Sequence, residues 1–324
     1  LGIKPLVWTV AGAAGGLEVV AASEIPAVLN HPWVRAEPDW VTASAYLTTI
    51  RLVLDDRTLY AGIRGVRPGE RIEIDCTGPV PRCRHELDPR LAAIWPDAEP
   101  AASSGASDPV AAALELAALR ATVSGSIAAH AVADVPLGAM LSGGLDSSIV
   151  CAELAGSGAA LRTWCATGPH DVDPESDDAA HAELVAAHLG TVHRTVTVTR
   201  AAFAERWPWL VERLGTPIGT PNEIAIHDVA AVARHRVTVL LSGEGADELF
   251  AGYGPAVASI LAAAARARDG APVPTAAGRL LQLMSWIPVP VKDRVLVPPV
   301  VAAAEGDDRL VDHLVERCAA ADAS

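Results

Sequence analysis

Followed for its alternation of apolar and polar positions, the chain changes character about a third of the way along. Residues 1–88 hold short β-prone runs broken by turns: Leu6 to Val10 and Leu17 to Ala21 around a Gly12 to Gly16 turn, then the alternating Arg71-Ile72-Glu73-Ile74-Asp75 after the turn-rich Gly62 to Gly69. A short helix is expected over Ile25 to Leu29, capped by Ser23-Glu24. Residues 89–109 are rich in Pro, Ser, Ala and Asp without a sustained period, which marks an interdomain linker. Beyond it helical and strand patterns alternate. The helices are predicted at Val110 to about Val132, Ser147 to Ala155, Ser176 to Leu189 and Asn222 to His235, with strands at Leu137 to Leu141, Leu161 to Ala166, Val192 to Val198 and Val237 to Leu241. Such alternation predicts an α/β domain over 110–324, a mostly parallel sheet flanked by helices, with ligands bound beyond the carboxyl ends of its strands.

Two of these strands empty into chemically loaded turns. Leu137-Gly138-Ala139-Met140-Leu141 stops at Ser142-Gly143-Gly144, and Leu145-Asp146-Ser147-Ser148 opens an apolar helix. Adjacent glycines let backbone approach a ligand closely, and the N–H groups of a helix start favour an anion. The serines add donors, while Asp146 in a site built for negative charge makes sense with a divalent cation between it and phosphates. An ordinary capped strand–turn–helix would need only part of this string. The common G-x-x-x-x-G-K-[ST] loop is excluded, because Lys4 and Lys292 are the only lysines and neither follows a glycine. A cradle with no lysine for the γ-phosphate suits a pyrophosphate grip. The string Ser142 to Ser148 resembles the PP-loop of the N-type ATP pyrophosphatases, which cleave ATP to AMP and pyrophosphate while adenylating a substrate.

The second turn follows Val237-Thr238-Val239-Leu240-Leu241 and reads Ser242-Gly243-Glu244-Gly245-Ala246-Asp247-Glu248. Three acids in five residues repel one another unless a cation or a basic group offsets them. Acids placed for the dipole of a helix start are the plainer account of this string. Asp146 and Asp247 are the expected pair around one Mg²⁺, and Glu244 the expected general base or acceptor for an incoming amine.

Length and composition fit that picture. A chain of 324 residues, 51% hydrophobic, buries a sizeable core. A net charge of −14 argues against nucleic acid and anionic membrane as partners. Five cysteines, an odd count without a C-x-x-C, suit a reducing cytoplasm and imply no cysteine metal site. The longest apolar candidate, Ala256 to Ala265, is shorter than the ~18 residues of a membrane span. The chain starts at Leu1, in what reads as the middle of a folded unit, and is expected to be a fragment or processed piece.

Ser242 to Tyr253, together with the first motif, is similar to the synthase domain of asparagine synthetases, whose fold is that of the PP-loop adenine nucleotide α-hydrolase-like proteins. Gly2 to Leu6, Ala21 to Leu29 and Gly65 to Ile74 resemble the closing part of that family's glutaminase domain, which identifies residues 1–88 as a partial, β-rich, glutaminase-like region. The resemblance implies that Met140, Leu141, Ser142, Gly143, Gly144, Leu145, Asp146 and Ser147 hold ATP. It places Thr167 on the adenine side, Ser242 and Gly243 against the nucleotide, and Mg²⁺ on Asp146 and Asp247. It implies ATP-dependent amide formation from a small-molecule carboxylate and ammonia or glutamine, and allows for a homodimer. The family's nucleophilic cysteine at the mature N-terminus has no counterpart here, so the chain as given is not expected to hydrolyse glutamine. Nor is Lys292 in the place of the family's late lysine. An intramolecular cyclase of the β-lactam synthetase or lasso-peptide type and a non-catalytic nucleotide-binding relative carry the same motifs.

Three other groups are weighed against simpler roles. His181, His188 and His193 lie close in sequence without a carboxylate partner motif and read as surface or packing residues. Trp207-Pro208-Trp209 reads as a corner packing on a core. Asn222 reads as a helix N-cap that leaves the Thr220 to Glu223 loop free to help form a substrate pocket.

Overall fold

The computed structural model describes residues 2–13, 16–78, 81–89, 109–156, 158, 160–168, 178–303 and 308–323. Two compact units interleave along the chain: residues 1–97, 210–220 and 253–324 form the first, and residues 98–209 and 221–252 the second. The expected linker lies mostly outside the described residues.

In the first unit β1 (Val7–Ala13) and β2 (Gly16–Ala22) pair antiparallel, and the short β3 (Arg64–Gly65) joins the other edge of β1. Helix α1 (Ile25–Leu29) forms as expected, but its cap is Glu24 with no side-chain hydrogen bond. Pro26 in its first turn supplies the preset φ instead. Helix α2 (Trp40–Thr49) goes beyond a reading of strands and turns alone. Asp39 caps it, accepting from the Thr42 amide at 2.9 Å while held by Arg57 at 2.8 Å. Its buried residues are small and mostly polar (Val41, Thr42, Ser44, Ala45, Thr48, Thr49), and the Thr49 hydroxyl satisfies itself on the Ala45 carbonyl. β4 (Glu70–Asp75) forms a hairpin with β5 (Arg82–Leu87).

The second unit opens with α3 (Pro109–His130), then β6 (Leu137–Met140), α4 (Leu145–Ala155), β7 (Arg162–Thr167), α5 (Asp178–Leu189), β8 (Val192–Thr197), α6 (Arg200–Leu214), α7 (Asn222–Ala233) and β9 (Val239–Leu241). The last residues of α6 belong to the first unit. All four strands are parallel, in the order β8-β7-β6-β9. The predicted α/β class with a parallel sheet is therefore what forms, each strand within a residue or two of its expected limits. Residues 176 and 177, where the third helix was expected to begin, lie outside the described residues. The helices cover both faces. Ala139, Leu141, Cys151, Cys165, Ala182 and Ala186 make the core on the α4 and α5 side, and Trp164, Val229, Ala233 and Val237 the core on the α7 side.

Gly138 is required where it stands. A Cβ there would meet the Trp164 ring at 2.6 Å and the Arg162 carbonyl at 2.9 Å, so the indole can lie across the central strand only over a glycine.

Three sequence expectations are corrected. Trp207-Pro208-Trp209 is not a corner but lies inside α6, where Phe203 and Trp207 stack one turn apart with ring centroids 5.4 Å apart. Pro208 removes one backbone hydrogen bond from α6, and the i, i+4 ring contact beside it offsets a small part of that cost. Asn222 is not the N-cap of its helix: Pro221 occupies that place with helical dihedrals, making Asn222 the first helical residue. By length and mean hydropathy, Ala112–His130 and Ala246–Arg268 would suffice to cross a membrane, both longer than the Ala256 to Ala265 stretch expected from the sequence. The first carries Glu115 and Arg120, and the second is interrupted by Ala251 at φ 54° between α8 (Ala246–Phe250) and α9 (Gly254–Arg268).

In the first unit α10 (Ala276–Met284) and α13 (Asp308–Ala323) pack on α2, through Ala277, Leu310 and Leu314 against Val41 and Ala45. Between them lie α11 (Val289–Val295) and α12 (Pro298–Ala303). Lys292 on α11 is buried and donates to the Thr48 hydroxyl at 2.9 Å.

Candidate active site

β6 and β9 run side by side, with Leu137, Gly138 and Ala139 level with Val239, Leu240 and Leu241. In that register Ser142 and Ser242 leave the same edge of the sheet on neighbouring parallel strands. Both loaded turns therefore open at the carboxyl ends, where an α/β sheet binds its ligands.

The first loop is held shut by its own serines. The Ser142 amide donates to Ser147 Oγ at 3.2 Å, the two hydroxyls lie 3.0 Å apart, and the Ser148 hydroxyl donates to the Gly144 carbonyl at 2.7 Å. Gly143 has φ 83° and a Cβ on it would stand 2.5 Å from the Ala182 amide nitrogen, so the loop also rests on α5. Both the dihedral and the approach exclude a side chain. Gly144 caps α4 in extended conformation without a side-chain bond, and Asp146 sits in the first turn.

The second loop turns at Gly245, φ 95°, into α8. Its Gly243 is packed onto the first loop: a Cβ there would lie 3.0 Å from both Asp146 Cβ and the Ser147 amide nitrogen. The two motifs, about a hundred residues apart in sequence, are thus in van der Waals contact.

They share one cavity of about 370 Å³. Met140, Leu141, Ser142, Gly144, Asp146 and Ser147 line it from the first motif. Ser242, Gly243, Glu244 and Asp247 line it from the second. Gly143, Leu145 and Thr167 are not among its lining residues. Gly143 is turned into α5, Leu145 is 75% exposed, and Thr167, the last residue of β7, is half-buried. Sequence reasoning missed Trp164, Cys165, Ala166, Ala225, Ile226 and Asp178, which complete the walls, while Asn222 takes the cavity-lining position left open for it. The apolar members carried no signal beyond strand and helix pattern, and Asp178 is one acid in an acidic run.

Burial pushes the Cys165 thiol up to about 11, with the Asp178 charge adding to it, and burial alone does the same to Cys151. Both are neutral thiols at physiological pH. Among the described residues no group of three or more His, Cys, Asp or Glu side chains forms a ready metal cage. Asp146 and Asp247, two of the carboxylates that line the cavity, are instead a donor set by which Mg²⁺ is commonly held when phosphates and waters complete its shell. The residues present fit that ion in this sense.

α7, which brings Asn222, Ala225 and Ile226 to the cavity, is tied to α6. Asp228, buried, pairs with Arg206 Nε and lies 3.0 Å from His227 Nδ1, and the His227 ring stands edge-on to Trp209 with centroids 5.1 Å apart.

Comparison with known proteins places this geometry. Residues 118–309 match the family model described as asparagine synthase. A putative glutamine-hydrolysing asparagine synthetase of Mycobacterium tuberculosis is 34% identical over 259 residues, 78% of this chain and 36% of the relative. Asparagine synthetase 1 of Bacillus subtilis is 35% identical over 128 residues, 40% of this chain and 20% of that protein. Amidase chyE of Penicillium rubens is 28% identical over 265 residues, 78% of this chain and 36% of its own length. The chain spans about a third of the length of the curated relatives it matches over most of its own length. With the matched region covering the parallel sheet, both loops and the cavity between them, the chain belongs to the asparagine synthase family.

Proposed function

We propose that this chain carries the ATP-dependent, amide-forming half of an asparagine synthetase-like ligase. A substrate carboxylate attacks the α-phosphate of ATP, releasing pyrophosphate and leaving an acyl-adenylate. An amine, ammonia supplied directly or from glutamine, then attacks the acyl carbon and displaces AMP. Adenylation turns a poor leaving group into a good one, and a cavity that excludes water protects the mixed anhydride.

The single observation that carries this reading is the packing of Gly243 on Asp146 and Ser147, which makes the two loops walls of one cavity. In it Ser142, Gly144 and Ser147 grip the pyrophosphate end through amides and hydroxyls, while Gly143 and Leu145 shape the loop without lining the cavity. Met140 and Leu141 bound the adenosine side, with Thr167 next to the lining Ala166, and Ser242 and Gly243 meet the nucleotide from the second loop. Asp146 and Asp247 would hold a magnesium ion, which when bound offsets the charge of the leaving pyrophosphate. Glu244 accepts a proton from the incoming amine. Residues 1–88 belong, on this reading, to a glutaminase-like domain and residues 110–324 to the synthase domain.

The test is product analysis with ATP, Mg²⁺, ammonium and a panel of carboxylic acids headed by aspartate. AMP and pyrophosphate formed with one of the acids support the reading, whereas ADP and phosphate contradict it.

A further inference from the structure

The cavity of the second unit has one acidic wall that neither glycine-rich loop supplies. Asp178, the first residue of α5, lines it beside Cys165 and Ala166 of β7. Helix α5 is pressed against the first loop, as the 2.5 Å approach at Gly143 records. Asp178 also stands close enough to Cys165 for its charge to act on the thiol.

An acid in the first turn of a helix has a routine use, complementing the dipole. That use does not require the acid to line a cavity. In a cavity shaped for a polyphosphate, a carboxylate is repulsive unless it faces a cation or neutral donors. Asp146, Glu244 and Asp247 stand on the two loops, whereas Asp178 stands apart from them at the start of α5, beside β7. An ionised carboxylate only accepts, and it does so through two oxygens. Of the donors on the uncharged half of a nucleotide, the paired ribose hydroxyls match two oxygens better than the single amine of the base. An acid beyond the carboxyl end of a parallel strand takes that role in dinucleotide-binding folds, where it bonds the 2′-hydroxyl.

We propose that Asp178 is a ribose-binding residue, its carboxylate accepting hydrogen bonds from the 2′- and 3′-hydroxyls of ATP in this cavity. The inference rests on the nucleotide reading above and assigns the part of the ligand met by α5.

Calorimetric titration of the whole chain with ATP, 2′-deoxy-ATP, 3′-deoxy-ATP and inosine triphosphate tests it. The wild type should bind ATP at least about tenfold more tightly than either deoxy analogue, the usual scale for hydrogen bonds to a charged group. Asp178→Ala should bind all three adenine nucleotides alike, at the wild type's deoxy level. Asp178→Asn, which keeps one acceptor oxygen and a good helix start, should discriminate partially, and thermal unfolding shows whether both variants are folded. Discrimination unchanged in Asp178→Ala, or an effect of the substitution seen with inosine triphosphate in place of the deoxy analogues, would overturn the assignment. A wild type that binds ATP and 2′-deoxy-ATP equally removes the ribose inference alone. One that binds no nucleotide removes the functional reading and this inference with it.

Discussion

Gly252 lies against the carboxylate of Asp247: a Cβ added to Gly252 would overlap Oδ1 and stand 2.9 Å from Cγ. The Gly252 amide closes the same turn on the Asp247 carbonyl at 3.0 Å. The glycine five residues after the proposed metal ligand therefore leaves the space that ligand occupies.

Gly252→Ala should displace the Asp247 side chain without opening the sheet. Misplacing a reacting group by about 1 Å costs on the order of 10²-fold in rate, and the Mg²⁺ concentration for half-maximal activity should rise. In an Asp247→Ala background the same substitution should have little further effect. Full additivity of the two in a double-mutant cycle would show that Gly252 acts elsewhere.

Gly143→Ala should be the more damaging glycine substitution. It forces a Cβ into a left-handed conformation costing roughly 1–2 kcal/mol and into the start of α5, 2.5 Å from the Ala182 amide nitrogen. Denaturant unfolding should report the lost stability, and nucleotide titration a weakened site. Wild-type values in both would contradict the described packing.

Among the described residues, Arg206→Ala leaves the buried Asp228 with the neighbouring His227 as its one ion partner. Arg206 is itself a third exposed, so the expected loss is on the order of 2 kcal/mol, below the range for fully buried pairs. Arg206→Gln combined with Asp228→Asn should cost less than the sum of the two single changes in denaturant titrations.

Burial lowers the pKa of His193, partly countered by Glu183. Its ring accepts or donates at Thr163 Oγ1, 2.9 Å away. A base whose folded pKa is depressed stabilises the fold above its unfolded value, about 6.5, and that contribution is lost as pH falls through the folded value. The unfolding midpoint should drop as pH is lowered from 7 toward 5, and His193→Gln should flatten that dependence. An equal slope in both proteins would place the titration elsewhere.

Both cradles were legible because each is a short string of turn glycines, hydroxyls and acids directly after a buried apolar strand, so local chemistry and strand ends coincide. The parallel sheet was legible for the same reason, through runs such as Val237 to Leu241. Helix α2 was hidden because, apart from Val41, it buries threonine, serine and alanine in place of large apolar residues, leaving no apolar period to find. β5 was hidden because all six residues of Arg-Cys-Arg-His-Glu-Leu are exposed, and what fixes it is pairing with β4. One such cross-strand tie is His85 to Glu70, 2.9 Å apart. Burial raises the Glu70 pKa, but its bonds from the Arg67 amide, His85 and the Arg67 side chain lower it further, for a net fall. Asp178 could not be singled out within Asp171-Val172-Asp173-Pro174-Glu175-Ser176-Asp177-Asp178, since nothing in the sequence ranks one of its four aspartates above the others.

The exchange of radiolabelled pyrophosphate into ATP probes the central claim most directly, because it reads reversible cleavage at the α-phosphate in the cavity where Gly243 meets Asp146. The account predicts exchange that needs Mg²⁺ and a carboxylic acid and falls on the order of 10²-fold or more in Asp146→Asn and in Asp247→Asn. Exchange that persists in both variants, or label appearing from phosphate and ADP in place of pyrophosphate, would contradict it.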